Sequence, residues 1–360
     1  MAQPIPLLRT SERAAFKRCQ LRWWWGFREG LKPGGTDHGP LWFGTGMHLA
    51  LAEWYIPGTE RGRDPRETWT EFVEDSVHDM VRTTTFGAEE EQVFDDAITL
   101  GKHMLNYYLA TYGLDEKWEI IAPEQTFAVT ISDPRSGVGY PTGDRVRPLA
   151  VYVGTFDGVY RNRETGKIWL LEHKTAAQIN TKHLVLDDQP GSYLMVAETV
   201  LRNQGKIGPH ETIEGVMYNF LAKRKPSDKP RDAKGRYLNK DGSVSKIQPS
   251  DTLLRQPVRR SIKQKLMMEK RIQTEAIQME PFRTDFDALT KNPTRDCSWD
   301  CSFFELCQVH ETGGDYEEFI RNVMVVEDPY IDHRLGAKNT KESVQLHRER
   351  LGRGGESATT

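Results

Sequence analysis

At 360 residues, with 37% hydrophobic and 28% charged residues, the chain is long enough for one large domain or two, each able to bury a core. A formal net charge of −3 excludes any overall pull toward nucleic acid, so such binding has to come from local patches. No stretch approaches the roughly 18 uninterrupted apolar residues of a membrane span, and the N-terminus lacks a signal-peptide hydrophobic region, so a cytoplasmic protein is expected. Four cysteines in such a protein do not suggest a disulfide framework, which leaves buried thiols, a catalytic thiol or a metal site.

Taken in order, Ser11 is a good helix cap, and the ERAAFKRCQLRWWWGF that follows has strong helix formers with Phe16, Cys19 and Trp23 on one face. After a Gly- and Pro-rich loop over Leu31 to Pro40, LWFGTGMHLALAEWYI predicts a helix with Met47, Leu51 and Trp54 on one stripe and His48 beside it. A single histidine there is either a satisfied core residue or a ligand that needs a partner elsewhere. Arg66 to Arg82 and Glu89 to Tyr112 have the periodicity of packing helices. Ala122 to Ile131 alternates as a strand beginning near Glu124, a carboxylate that is either surface polarity or part of a site; Ser132 to Pro148 is turn-rich.

Val151 to Lys174 predicts two strands joined by a turn over Asn162 to Lys167. Period-two spacing puts Val151, Val153, Thr155, Asp157 and Val159 on one face, while Glu172 and Lys174 interrupt an otherwise apolar second strand and also share a face. Charges buried in a strand pair are costly unless they are paired or hold a metal, which makes the trio Asp157, Glu172 and Lys174 a candidate site. Downstream, Gln189 and Tyr193 lie four apart on a predicted helix with Pro190 in its first turn. There they face either the anion-favouring helix start or simply the core.

Ile213 to Lys225 predicts a strand running into a basic stretch from Lys223 to Lys246, where nine Lys or Arg meet three Asp; a mobile loop is expected. It is either solvated surface or, with Lys223, Arg224, Lys225 and Tyr237, a contact for a nucleic-acid backbone. Val258 to Met279 predicts a long helix, and NPTRDCSWDCSFFELC brings Cys297, Cys301 and Cys307 together in sequence. Gly313 to Met324 could close the fold, and residues 331–360, polar and low in apolar residues, are expected to be disordered.

Two patterns then coincide. His48, GTFD at Gly154 to Asp157, EHK at Glu172 to Lys174 and QPGSY at Gln189 to Tyr193 stand in an order that resembles the RecB-like branch of the PD-(D/E)XK nuclease superfamily, as in CRISPR-associated exonucleases. One early cysteine, Cys19, and three late ones resemble the iron–sulfur-containing members of that branch, in which four thiolates hold a [4Fe–4S] cluster. Gln20 replaces the proline usual after the first cysteine, and three residues rather than two separate Cys297 from Cys301. A zinc site therefore remains an alternative occupant of the thiols.

The resemblance implies an α/β fold with a central mixed β-sheet flanked by helices, a restriction-endonuclease-like nuclease core. It implies a single domain over 1–330: a helical insertion at about 53–115, a core at about 120–225 and an iron–sulfur region clamping the two ends. It implies a metal-dependent DNA exonuclease acting on single strands or DNA ends in recombination, repair or phage DNA processing, with other recombination proteins as further partners. The alternative is a non-catalytic DNA-binding iron–sulfur subunit. Asp157, Glu172, His48 and the main chain of His173 would hold Mg2+ or Mn2+, Lys174 would orient water, Gln189 and Tyr193 would position the strand, and Glu124 would stand behind them.

Overall fold

A computed structural model describes residues 5–34, 40–83, 88–136, 147–225, 229–246, 248 and 252–356. Residues 35–39, 137–146 and 226–228, expected as loop, turn and basic stretch, lie outside these. In chain order the elements begin with β1 (Leu7–Leu8), α1 (Thr10–Arg18), α2 (Gln20–Trp23), β2 (Leu31–Pro33), α3 (Pro40–Trp54), α4 (Pro65–Thr83) and α5 (Ala88–Tyr112). The central part is β3 (Trp118–Ala122), β4 (Gln125–Ser132), β5 (Pro148–Phe156), β6 (Gly158–Asn162), β7 (Ile168–Ala176), α6 (Asp188–Asn203), β8 (Ile213–Ala222), β9 (Leu253–Arg259) and α7 (Ile262–Met279). The C-terminal part is α8 (Cys297–Asp300), α9 (Phe304–Glu311), α10 (Tyr316–Val323), β10 (Met324–Val326), α11 (Ile331–Arg334) and α12 (Thr340–Glu356).

The expected central mixed sheet is present. Five strands run in the order β3-β6-β7-β8-β9, with β7 and β8 parallel and the other pairs antiparallel. A second sheet, β1-β5-β4, is joined to it through Asp157, the residue between β5 and β6. The chain reaches β8 from β7 by way of α6, the crossover a parallel pair requires. One apolar cluster gathers α6 and α7 on the sheets through Tyr152, Phe156, Leu194, Tyr218 and Ile272; another gathers α3, α4 and α5 through Met47, Trp69, Tyr108 and Trp169.

Side-chain shape explains the helical layer. Trp69 is fully buried, and a Cβ at Gly46 or at Gly101 would collide with its ring. Two glycines on α3 and α5 therefore let both helices close on one indole of α4. Helix α7 starts sharply because Ser261 and Gln264 form a reciprocal capping box.

Several expectations need correction. The first helix does not run through Cys19, which is extended (φ −168°, ψ 123°) and separates α1 from α2; Trp24–Arg28 continues as a π-helical turn. Ser11 lies inside α1, whose N-cap is Arg9. The strand expected from Ala122 is two strands broken at Pro123 and Glu124, belonging to different sheets. The helix expected from Val258 begins at Ile262, after the edge strand β9. The basic stretch has local order: Tyr237 is buried and the bridges Arg231–Tyr237 and Leu238–Val244 fold it on itself. The expected disordered tail contains α11 and α12, tied to the body through the buried Ala337 and the polar contacts of Lys338, Thr340 and Lys341.

Candidate active site

The sheet's geometry determines which charges meet. Asp157 sits at the bend between β5 and β6, beside the register that pairs Gly158 with Leu171, so its carboxylate arrives next to Glu172 and His173 of β7. The His173 backbone N–H donates to Asp157 Oδ2 at 2.6 Å, and His48 of α3 donates from Nδ1 to Asp157 Oδ1 at 3.1 Å. Glu172 Oε1 meets Lys174 Nζ at 2.5 Å. The structure therefore brings together His48, Asp157, Glu172 and Lys174, which the sequence spreads over more than a hundred residues.

The electrostatics follow from burial and from this pairing. Burial pushes the Glu172 carboxyl up to about 7, against the pull of Lys174. Burial disfavours charge on Lys174, but the attraction of Glu172 outweighs it and raises the ammonium further. Burial also disfavours charge on His48, yet Asp157 lifts it to about 9; with 28% of its side chain exposed, water tempers the opposing term. Asp157 stays below the ordinary carboxylate value: burial works against its charge, and His48 and the His173 amide overcome that. His173, fully enclosed, is lowered to about 3.

One atom stands out. Glu172 Oε2 is buried without a hydrogen-bond partner, although leaving a buried carboxylate oxygen unmatched is costly. Such an oxygen, in a carboxylate that feels the charges of both Asp157 and His48, fits the chemistry of a divalent cation: hard carboxylates and a main-chain carbonyl suit Mg2+ or Mn2+, and an imidazole favours Mn2+. Among the described residues, no group of three or more His, Cys, Asp or Glu side chains stands in a finished metal-holding arrangement. His48 and Asp157 are instead engaged with each other.

A cleft of ≈ 620 Å³ opens beside these groups. Its lining includes His48, Glu124, Asp157, Gln189 and Tyr193, so the helix pair expected to position a strand does face the site. Gln189 Nε2 donates to the Tyr193 hydroxyl at 3.4 Å. Tyr193 is buried by lying against Gly154: a Cβ there would come 2.8 Å from the Tyr193 ring and 2.8 Å from Phe127. The glycine of GTFD thus makes room for the tyrosine of QPGSY, a reason for those two residues that neither strand nor helix periodicity supplies. Glu124 is buried, not a surface carboxylate; both its oxygens accept from Thr340.

The network behind the site was missed from sequence. Asn219 of β8 is fully buried and donates to His173 Nδ1 at 2.8 Å and to the Tyr108 hydroxyl at 3.0 Å. Tyr108 meets Tyr55 at 2.5 Å, and Asp115 binds both Tyr55 and the guanidinium of Arg255. Arg255 also stacks over Tyr112 and Trp118. A lone amide in the apolar run GVMYNFLA was the available signal, the same kind that singled out Glu172.

Lys223, Arg224 and Lys225 leave the end of β8 where Ala176 of β7 pairs with Ala222. They therefore stand at the strand ends that carry Lys174. Lys225 is exposed, and Lys223 lies over the Phe43 ring at 4.9 Å.

The four cysteines are free and half-buried. Burial raises the Cys301 and Cys307 thiols, and neighbouring thiols add to it: Cys297 and Cys19 at Cys301, and Cys19, Cys301 and Cys297 at Cys307. Cys19, Cys301 and Cys307 pack against Leu21, Trp25, Phe303 and Leu306.

The model for the PD-(D/E)XK nuclease superfamily matches residues 10–308 of the chain. No curated protein matches it.

Proposed function

Because the chain belongs to the PD-(D/E)XK nuclease superfamily, we propose that it is a metal-dependent DNA exonuclease hydrolysing single-stranded DNA or DNA ends in recombination, repair or phage DNA processing. The observation that carries this reading is the unpartnered Glu172 Oε2 buried beside Asp157, with His48 within hydrogen-bond reach of the same aspartate. Asp157, Glu172, the His173 carbonyl and His48 would hold the ion. Bound there, Mg2+ or Mn2+ would supply Lewis acidity toward the phosphodiester and a nucleophile at neutral pH.

The chain's own groups do the rest. His48 would hold the ion as a neutral imidazole, one ring nitrogen at a time being free for Asp157. Lys174, kept charged by Glu172, offers a compact ammonium that orients the attacking water and offsets charge on the phosphate. Gln189 and Tyr193, fixed by the close approach at Gly154, hold the strand against the cleft. Asn219 and the Arg255 network keep β7 in place so that the His173 main chain stays aimed.

The same reading gives Cys19, Cys297, Cys301 and Cys307 a structural [4Fe–4S] cluster joining the ends of the matched region. Its support is the presence of four free, half-buried thiols, with Cys19 and Cys297 bearing on both Cys301 and Cys307. Iron and sulfide analysis of the purified protein, with its visible absorbance, checks the cluster; zinc in their place would replace it.

Labelled single- and double-stranded DNA incubated with the protein and Mn2+ tests the catalytic reading. Stepwise shortening from an end supports it; intact DNA under every ion condition, from a folded protein, rejects it.

A further inference from the structure

One side of the cleft is built by residues outside the part of the chain that matches the superfamily. Asp332, His333, Ala337, Asn339, Thr340 and Ser343 all line it, while the match ends at residue 308. They are held by contacts to the elements that carry the site. The Thr340 backbone N–H donates to Glu124 Oε2 at 3.1 Å and its hydroxyl donates to Oε1. The Lys341 ammonium pairs with Glu53, five residues after His48 on α3. The Thr126 N–H of β4 donates to the Lys338 carbonyl at 2.8 Å, and Ala337 is buried. Asn339 caps α12 by accepting from the Glu342 N–H at 2.9 Å, so the turn bearing Thr340 is fixed.

These fastenings hold one side of the cleft in place. At ≈ 620 Å³ it falls in the range of pockets that take a small molecule, suited to a short piece of one strand. A base-paired duplex, with two backbones and stacked pairs, cannot be seated whole in a space of that volume.

Resting on the nuclease reading above, we propose that residues 332–343 form the specificity wall of the cleft. They admit an unpaired nucleic-acid strand to the Asp157–Glu172 centre and exclude the duplex, with Thr340–Glu124 and Lys341–Glu53 as the latches that keep the wall in place. Glu124 then acts as the anchor for the wall, not as a group that touches substrate. Both its oxygens are occupied by Thr340.

The test uses the full-length protein with Mn2+, a fluorescent single strand and the blunt duplex of the same sequence. The double variant Thr340→Val/Lys341→Glu removes one bond and sets Glu against Glu53. Its duplex-to-single-strand ratio of kcat/KM is expected to rise roughly tenfold, while Thr340→Ser/Lys341→Arg keeps the wild-type ratio. An unchanged ratio in a double variant that unfolds at the wild-type temperature overturns the proposal.

A second measurement does not depend on catalysis. Tryptic cleavage of the wild type after Lys338 and Lys341 is followed in Ca2+ with either oligonucleotide. Slowing by the single strand alone supports the wall, and does so even if no variant hydrolyses anything, in which case only the nuclease reading fails. Equal slowing by both, or by neither, overturns the wall whether or not the protein cuts DNA.

Discussion

The carboxylate centre and the thiol cluster are both assembled from distant residues, yet they are organised in opposite ways. Around Asp157 the sheet does the work: a backbone N–H, an imidazole and an ion pair hold the groups with no ion required, and a single oxygen is left over. Around Cys19 no sheet supports the thiols: apolar packing and side-chain bonds from Arg18, Gln20 and Arg22 to residues 290–300 hold them, and the backbone there is an extended break between two short helices. On the proposed reading, an ion would complete the first, whose groups already stand together, and a cluster would be needed to join the thiols of the second. Removing the ion should therefore cost chemistry in one and stability in the other.

The largest expected effect lies at the preformed site. Asp157→Asn and Glu172→Gln should each lower kcat by roughly a thousandfold or more, leaving the unfolding midpoint within a few degrees, because the pairing hydrogen bonds survive in part. Labelled-DNA kinetics beside thermal unfolding decide this; a variant that unfolds instead would erase the contrast. Next, Cys19→Ala should abolish bound iron and lower the thermal midpoint or solubility strongly. Retained iron by metal analysis would show that the thiols are not its ligands.

A smaller effect sharpens the point about preorganisation. Gly154→Ala forces a methyl into Tyr193 and Phe127 and should cost about 1–3 kcal/mol of stability, read from denaturant midpoints, with a rise in KM as Tyr193 shifts.

The smallest effect concerns pH. The folded value of Glu172 lies above that of an unfolded carboxylate, so its contribution falls as pH rises through about 7; His48 is raised as well, so its contribution falls as pH rises through about 9. The ion-free protein should thus lose thermal stability from about pH 5 to about pH 9, and Mn2+ should reverse the trend because ligation needs both groups deprotonated. A flat profile in both conditions would mean that burial does not raise Glu172 against the pull of Lys174.

Much of this was legible in the sequence. Charges in an apolar strand marked Glu172 and Lys174, and the order of His48, Asp157, Gln189 and Tyr193 supplied the rest of the centre. Period-two logic failed at Asp157 because the chain changes sheets there, so Asp157 does not continue the face of Val153. It failed at Pro123 and Glu124 for the same reason. The C-terminal segment was illegible for a different cause: its attachment runs through Glu53 and Glu124, and ion pairs and capping bonds leave no periodic trace. Asn219 was visible in principle, as an amide among apolar neighbours.

The bond from Thr340 to Glu124 spans 216 positions of sequence. Contacts of that separation are the slowest kind to form, since a large loop must close before they return anything. A ribosome-bound chain would have its sheet and the carboxylates of Asp157 and Glu172 in hand well before residues 332–343 complete the cleft. During synthesis the centre should pass through a stage in which it is assembled but undiscriminating, and discrimination would arrive only once residues 332–343 have emerged.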